Sequence, residues 1–347
     1  MRVSPPDTLA PAVTVGPITA VTGSLTTTNE ALAERFGTSP EVIFRKIGIE
    51  SRPLAAPGVA PKHLAIDAAR KLFDHPGFDS QSLAAIVTAS SSITQVCPPV
   101  SCEVLAVITK ELGPPPPLMA FDIMATCAGW LYALQFVCDH LHQPANRART
   151  ALVITTEIFT LGLDENDFGA WASFGDAACA TLVYGPDCEL PSQMDGQVAP
   201  LISVRRPLNF SRADTDGALW GPPLGTPDRM KMNGSALRQV NMPAMAEALR
   251  AAVADAGLAT GELDAILAHQ SNLRILNDLA AELGISPEIM PHNLKHRGNT
   301  SSCALPLLIH DLRQSRPAPS FLEAGSRLGF TTFGGGFTFS GAVGQVL

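Results

Sequence analysis

The sequence predicts an α/β protein in which helices cover a mainly parallel sheet. Three apolar runs of strand length, 83–88, 118–124 and 151–155, are separated by longer amphipathic stretches at 101–112 and 129–141. Strands that alternate with helices are typical of parallel pairing with helices on the sheet faces. The chain has 347 residues, 46 % of them hydrophobic, so it can bury a large core.

The second half of the chain repeats this order of elements. A helical run at 235–256 precedes a strand at 264–268 and another helix. In each half a strand ends in a reactive residue at a helix start, and each half closes on a Phe-Gly pair before a β-rich segment. A polar segment rich in Pro and Gly follows Tyr184 and separates the halves. We therefore expect an internal duplication with halves 1–190 and 191–347.

Composition excludes several classes of protein. The chain has 24 Lys+Arg against 32 Asp+Glu and a net charge of −8, which argues against nucleic acid or an anionic membrane as the main partner. We expect no signal peptide, and no apolar run is long enough for a membrane span. The seven cysteines form no CxxC pair and no zinc-ligand spacing, so we expect reduced thiols, no metal and a cytoplasmic location. Only 16 % of residues are charged, which suits an oligomer.

Cys127 is the strongest candidate for a nucleophile. It follows a strand-like segment and precedes Ala128 and Gly129, which are small enough for a sharp turn into an apolar helix. Unpaired N–H groups at a helix start favour the thiolate, so we expect a lowered pKa for this thiol. The alternative is a buried Cys that packs as a small hydrophobic residue.

His269 and Asn299 are candidate partners of this thiol. His269 ends a strand and precedes residues that favour a helix start, so it should lie in the crevice where open α/β sheets bind ligands. Asn299 lies in a Gly-containing turn before an apolar helix and could otherwise be a simple loop former. An imidazole and an amide side by side can both donate to a carbonyl oxygen that becomes an enolate.

A glycine run, 334–336, lacks the spacing and the Lys-Ser/Thr of a phosphate loop. Glycine permits close backbone approach, so a free N–H there can complete an oxyanion hole with the N–H of Cys127. Together with Cys127, His269 and Asn299, this turn indicates thioester chemistry.

These residues lie in motifs that resemble a known family. The segments are FDIMATCAG at 121–129, FGD at 174–176, HQSNLRI at 269–275, GNTS at 298–301 and FGGGFT at 333–338. In this order they resemble β-ketoacyl-acyl-carrier-protein synthase III of the thiolase superfamily. The resemblance runs from about residue 20 to the C-terminus.

The resemblance implies a thiolase fold, which is a duplicated, five-layered αβαβα architecture, in a homodimer. It implies that Cys127 takes the acyl group as a thioester and that His269 and Asn299 stabilise the enolate of the second substrate. The N–H groups of Cys127 and Gly335 would form the oxyanion hole. Arg274 matches a position that helps to dock an acidic acyl carrier protein.

Some positions depart from the family pattern. Val42 replaces a Trp that stacks on the adenine of coenzyme A, and Cys97 replaces a Phe that gates the pocket. Asp167-Phe168 replaces an Asp-Arg pair, so another polar contact is lost. The resemblance gives Cys97, Phe168 and Phe333 to the substrate pocket. We expect weakened coenzyme A recognition, an altered pocket, and substrates held on the phosphopantetheine of a carrier protein with no other cofactor.

The functional hypothesis is a stand-alone ketosynthase of polyketide biosynthesis that joins two acyl thioesters by a C–C bond. Within that group the chain resembles enzymes that join two carrier-bound β-ketoacyl chains, as in α-pyrone antibiotics of the myxopyronin and corallopyronin type. Three alternatives remain. They are an acyltransferase that forms an ester or amide, a synthase that primes fatty-acid synthesis, and an inactive subunit that only binds a partner.

Overall fold

The computed structural model describes residues 12–164, 166–191, 200–213, 219–220 and 229–347. The strands are β1 (Ala12–Thr22), β2 (Leu25–Thr28), β3 (Ser51–Leu54), β4 (Leu83–Ala89), β5 (Met119–Ile123), β6 (Thr150–Glu157), β7 (Ala177–Tyr184), β8 (Ile202–Arg205), β9 (Leu208–Ser211), β10 (Leu219–Trp220), β11 (Lys231–Met232), β12 (Ala265–Ala268), β13 (Arg327–Gly334) and β14 (Thr338–Val346). The helices are α1 (Asn29–Phe36), α2 (Pro40–Ile47), α3 (Pro61–Phe73), α4 (Val100–Leu112), α5 (Gly129–Leu141), α6 (Phe168–Ser173), α7 (Gly234–Asp255), α8 (Leu273–Leu283), α9 (Leu294–Arg297) and α10 (Ala304–Gln314).

The main sheet has ten strands in the order β12-β13-β14-β8-β1-β7-β6-β4-β5, with β9 paired to β14. Pairing is parallel where helices connect the strands, at β4–β5, β4–β6 and β12–β13. It is antiparallel at β6–β7, β7–β1, β13–β14 and β14–β8. The sheet is thus mixed, and the expectation of mainly parallel pairing was wrong for its centre. The reason is that β13 and β14 form a hairpin, and β7 returns beside β6 in the same way.

The two halves of the chain have the same order of strand pairing. In the first half β4, β6, β7 and β1 lie side by side with parallel, antiparallel and antiparallel contacts. In the second half β12, β13, β14 and β8 repeat that sequence of contacts. The two sets join where β1 pairs with β8. The predicted boundary after residue 190 falls between β7 and β8, and residues 192–199 lie outside the described part.

The hydrophobic clusters divide the molecule into five layers. Buried residues of α3 and α4 pack on one face of the β4–β6–β7 set, as Ile86 illustrates. The opposite face, with Ala85 and Val87, packs against α5 and α10, which also cover β12 and β13. The far side of the second set packs against α7 and α8. This is the αβαβα arrangement, with α5 and α10 as the shared central layer.

Candidate active site

Cys127 lies in a short 3-10 turn, Thr126–Ala128, between β5 and α5. Thr126 has a φ of 45°, which is the left-handed region that non-glycine residues rarely adopt. Gly129 allows the turn to pack closely, because a Cβ there would lie 2.8 Å from Ala89 Cβ. The Cys127 carbonyl accepts a hydrogen bond from Thr332 Oγ1 of β13 at 3.1 Å. The strained turn is thus held by both halves of the fold.

The structure corrects the expected acidity of the thiol. Burial raises the pKa of Cys127 to about 12, and the carboxylate of Glu157 also raises it, while a hydrogen bond from Ser301 opposes the shift. The expectation of a lowered pKa considered only the helix start and left out the dense packing around the sulfur. The residue remains partly accessible. Cys127 is therefore a protonated thiol at rest and needs a base to become a nucleophile.

His269 immediately follows β12 and is fully buried. Its backbone N–H donates to the Thr331 carbonyl at 2.9 Å, which continues the parallel pairing with β13. Neither ring nitrogen has a hydrogen-bond partner among the described residues. The ring packs edge-on against Phe333, with 5.1 Å between the two ring centroids. Burial lowers the pKa of His269 to about 3, so the imidazole is neutral. A neutral imidazole can accept a proton at one nitrogen and donate one from the other.

Asn299 is fixed by its backbone and by one side of its amide. Its N–H donates to Ser173 O at 2.8 Å, and its carbonyl accepts from Gly175 N at 3.0 Å. The side-chain Oδ1 accepts from Ser301 N at 2.9 Å, so the amide offers its Nδ2 hydrogens to a ligand. Gly298 precedes it with a φ of +62°, and a Cβ there would lie 2.7 Å from Ser173 O. The Phe-Gly-Asp motif therefore serves to hold the Asn299 loop.

The glycine run packs directly on the Cys127 turn. Thr126 Oγ1 donates to Gly335 O at 3.3 Å, and Thr338 Oγ1 donates to Ala125 O at 3.1 Å. A Cβ on Gly334 would overlap Thr126 Oγ1 and lie 2.6 Å from Ala125 O. This close approach explains the need for glycine and brings the backbone around Gly335 next to the nucleophile's turn.

Arg274 is exposed in the first turn of α8, which begins after the cap residue Asn272. It lines a surface cleft of about 750 Å³ together with Phe44, Arg45 and Lys46 of α2. Gly48 makes this cleft possible, because a Cβ there would lie 2.6 Å from Leu273 Cβ. The sequence interpretation identified Arg274 alone. Its two basic neighbours become visible only when α2 and α8 are packed together.

The three predicted pocket residues lie in different places. Phe333 is buried and contacts the His269 ring. Phe168 packs edge-on against Phe36 at 5.4 Å, in a cluster of α1, α2 and α6. Cys97 is exposed, in the loop before α4. The structure brings Phe333 to the imidazole, and the pocket roles of Phe168 and Cys97 stay predictions.

The described residues contain neither a cluster of metal ligands nor a membrane-spanning helix. Within those ranges no group of three or more His, Cys, Asp or Glu side chains could hold a metal ion. No helix in the described part of the chain combines the length and apolar character that crossing a bilayer requires.

Comparison with known proteins identifies the family. Family models for 3-oxoacyl-[acyl-carrier-protein] synthase III and for its C-terminal part match residues 121–192 and 253–346. The chain is 33 % identical over 317 residues to β-ketoacyl-[acyl-carrier-protein] synthase III of Rhodospirillum rubrum, covering 91 % of this chain and 94 % of the relative. The chain belongs to the β-ketoacyl-acyl-carrier-protein synthase III family. It is therefore a condensing enzyme of the acyltransferase class.

Solved structures agree with this family fold. The synthase III of Pseudomonas aeruginosa has a TM-score of 0.80 at 25 % identity, covering 96 % of this chain and 98 % of that one. The priming β-ketosynthase of a polyketide biosynthetic pathway has a TM-score of 0.81 at 24 % identity, covering 99 % of both chains. The thiolase fold expected from the motifs is confirmed.

Proposed function

We propose that this synthase III homologue joins two acyl thioesters by a C–C bond, through an acyl thioester on Cys127. The observation that carries the proposal is the environment of the three side chains. They are a protonated thiol, a neutral imidazole without a hydrogen-bond partner among the described residues, and an amide whose Nδ2 hydrogens are left for a ligand. Such a set suits acyl transfer followed by enolate chemistry.

In the first half-reaction the Cys127 sulfur attacks the carbonyl carbon of the donor thioester. Its proton moves to the neutral ring of His269, and the carbonyl oxygen becomes an oxyanion. The N–H groups of Cys127 and Gly335 stabilise this oxyanion, since the Gly335 segment packs on the Cys127 turn. The donor's thiol leaves with the proton from His269, and acyl-Cys127 remains.

In the second half-reaction the other thioester becomes a carbon nucleophile, either by loss of CO₂ or by transfer of an α-proton to the unprotonated nitrogen of His269, which passes it to the Cys127 thiolate after condensation. Its carbonyl oxygen gains negative charge and accepts hydrogen bonds from His269 and from Asn299 Nδ2. The enolate carbon attacks acyl-Cys127, a C–C bond forms, and the Cys127 thiolate leaves. The neutral state of His269 suits this step because it still carries an N–H to donate.

The donor is proposed to arrive on an acyl carrier protein. The cleft of Arg45, Lys46 and Arg274 offers three cations to an acidic partner, although the whole chain has a net charge of −8. We further propose that the acyl groups are β-ketoacyl chains of an α-pyrone pathway. Support for this narrower assignment comes from two departures from the family pattern. This chain has Val42 where the family has a Trp, and Cys97 where the family has a Phe.

One observation favours a second candidate, a synthase primed by coenzyme A. Phe44 is 41 % exposed in the same basic cleft, two residues from Val42. Its ring offers an aromatic face that the sequence interpretation, which considered only Val42, left out. An adenine could stack on this ring beside the cations.

The chain is also proposed to act as a homodimer. Strand β5 ends the described sheet, and its neighbourhood exposes Met119 at 46 % and Met124 at 64 %. Asp122 of β5 accepts hydrogen bonds from the first residues of α4, so the preceding loop with Cys97 lies at this same edge. A second copy paired on β5 would cover the apolar edge and place Cys97 near its partner.

Acyl loading followed by intact-protein mass spectrometry tests the proposal. The same acyl group is offered on a carrier protein and on coenzyme A, to the wild type, to Cys127→Ala and to Cys102→Ala as a matched control. We expect loading of the wild type and of Cys102→Ala, and none of Cys127→Ala. Loading of Cys127→Ala would disprove the nucleophile. Faster loading from coenzyme A would favour the second candidate, and an ester or amide product would favour the acyltransferase alternative.

A further inference from the structure

Glu157 is a buried carboxyl group that the mechanism above does not use. It ends β6 and is fully buried. Ser91 N donates to its Oε2 at 3.1 Å and to its Oε1 at 3.3 Å, while the hydroxyls of Ser302 and Ser301 contact Oε1 at 2.8 and 3.3 Å. Both hydroxyls thus lie on Oε1, and the shorter contact of the backbone donor is to Oε2. A protonated carboxyl fits this division, because its O–H can donate to a serine while its C=O accepts from the backbone.

Ser301 connects this carboxyl group to the site. Its backbone N–H donates to Asn299 Oδ1 at 2.9 Å, and it has a strained φ of 53°. Its hydroxyl contacts Glu157 and also makes the hydrogen bond that lowers the pKa of Cys127. A serine hydroxyl has only one hydrogen. That hydrogen can therefore stabilise either a carboxylate at Glu157 or a thiolate at Cys127, but not both.

We propose that Glu157 is a positioning residue for the nucleophile and that it works in its protonated form, with Ser301 as the intermediary. This inference rests on Cys127 as the proposed acyl acceptor. When Glu157 carries its proton, the Ser301 hydrogen is free to stabilise Cys127 while its S–H bond breaks and an N–H bond forms on His269. When Glu157 is ionised, it takes the Ser301 hydrogen and repels the developing thiolate.

The groups around Glu157 place its ionisation near neutral pH. Burial raises the pKa of Glu157 to about 7, against hydrogen bonds from Ser302, Ser91, Ser92 and Ser301 that oppose the shift. The titratable groups that face it are thiols. Burial raises the pKa of the Cys127 and Cys303 thiols, and the charge of Glu157 raises both further. His269 stays neutral, because its pKa is about 3.

The test is the pH dependence of acyl loading on Cys127, measured by intact-protein mass spectrometry between about pH 5.5 and about pH 9. We expect the wild-type rate to be level up to about pH 7 and then to fall about tenfold per pH unit, as one group loses its proton. Glu157→Gln imitates the protonated carboxyl, with an oxygen for Ser91 and an NH₂ for the serines. Its loading rate should stay level across the range. A Glu157→Gln profile identical to that of the wild type, or a folded but inactive Glu157→Gln, would overturn the proposal.

Two serine variants provide matched controls. Ser301→Ala removes the intermediary hydroxyl and keeps the backbone bond to Asn299, so loading should fall about tenfold at low pH. Ser302→Ala keeps the intermediary but removes a bond that lowers the pKa of Glu157. The pH at which the loading rate begins to fall should therefore be higher than in the wild type. The constant loading rate below that pH should change little. Thermal unfolding of each variant shows whether it is folded, and equal effects of the two serine variants would contradict the assigned roles.

Alkylation of Cys127 by iodoacetamide, followed by peptide mass spectrometry, separates this inference from the proposed function. Alkylation by iodoacetamide needs no substrate recognition. At about pH 9 the thiol of Glu157→Gln should react at least tenfold faster than that of the wild type, because the repelling charge is gone. Faster alkylation without any thioester loading would support the inference and refute the proposed function. Thioester loading of the wild type, together with equal alkylation rates in the wild type and Glu157→Gln, would support the proposed function and refute the inference.

Discussion

Gly298→Ala should damage the second half-reaction far more than the first. The glycine has a φ of +62°, and a Cβ would lie 2.7 Å from Ser173 O and 3.2 Å from Arg52 Cβ. Arg52 is buried and bonded to Asn29, so neither neighbour moves freely. The Gly298 backbone must therefore shift, and it carries Asn299 with it. A misplacement of about 1 Å in a positioned group costs about 100-fold in rate.

The two half-reactions depend on different groups, so Gly298→Ala should slow them by different factors. Condensation needs the Asn299 amide, so it should slow by about 100-fold. Loading of Cys127 uses His269, the backbone donors and the Ser301 hydroxyl but not the Asn299 amide, and should change by less than about threefold. The strain of an alanine in this backbone region should also cost about 1–3 kcal/mol of unfolding free energy.

The assay follows both half-reactions on one preparation. Loading is measured by intact-protein mass spectrometry, and condensation by adding the second thioester to pre-loaded enzyme and quantifying the C–C product. Gly284→Ala is the matched control, since that glycine has a φ of +69° and an added Cβ would meet nothing within 4 Å. It should lose stability without changing either half-reaction. Equal loss of loading and condensation in Gly298→Ala would refute the assigned division of labour.

Three further predictions concern stability, docking and assembly. The pKa of Glu157 is about 7 in the folded protein, against an ordinary value of 4.5. Its contribution to the free energy of unfolding is therefore fully present below about pH 4.5 and is lost as the pH rises to about 7. The loss is about 3 kcal/mol, and Glu157→Gln should remove this part of the pH dependence in chemical denaturation. Arg274→Glu should slow loading from a carrier protein about tenfold at low salt and leave loading from a short pantetheine thioester unchanged; equal slowing of both would refute docking. Met119→Lys at the β5 edge should shift the chain from dimer to monomer in light scattering, and a wild-type monomer would refute the dimer.

The sequence predicted the fold class and indicated three candidate catalytic side chains because the signals for both are local. Cys127, His269 and Asn299 each follow a strand or precede an apolar helix, and such element ends are readable from neighbouring residues. The repeated order of elements also indicated the duplication. The antiparallel centre of the sheet was missed because the strand order depends on contacts between distant segments.

The remaining features depend on tertiary packing. The acidity of Cys127 was predicted with the wrong sign because a helix start is visible in sequence, whereas burial of the sulfur is not. Glu157 reads in the sequence as the end of an apolar strand, and its four serine neighbours come from two distant segments. Phe44 and Lys46 reach Arg274 only because Gly48 lets α2 and α8 touch.

The pairing of β1 with β8 makes the enzyme divisible into two complementary fragments. A cut between Tyr184 and Ile202 would leave Cys127 on one piece and both His269 and Asn299 on the other. Under the proposed mechanism, neither piece could complete a catalytic cycle alone. Because the broken segment carries none of the site's named residues, mixing the pieces would restore turnover to the extent that the strands pair again. Turnover would then serve as a direct readout of strand association.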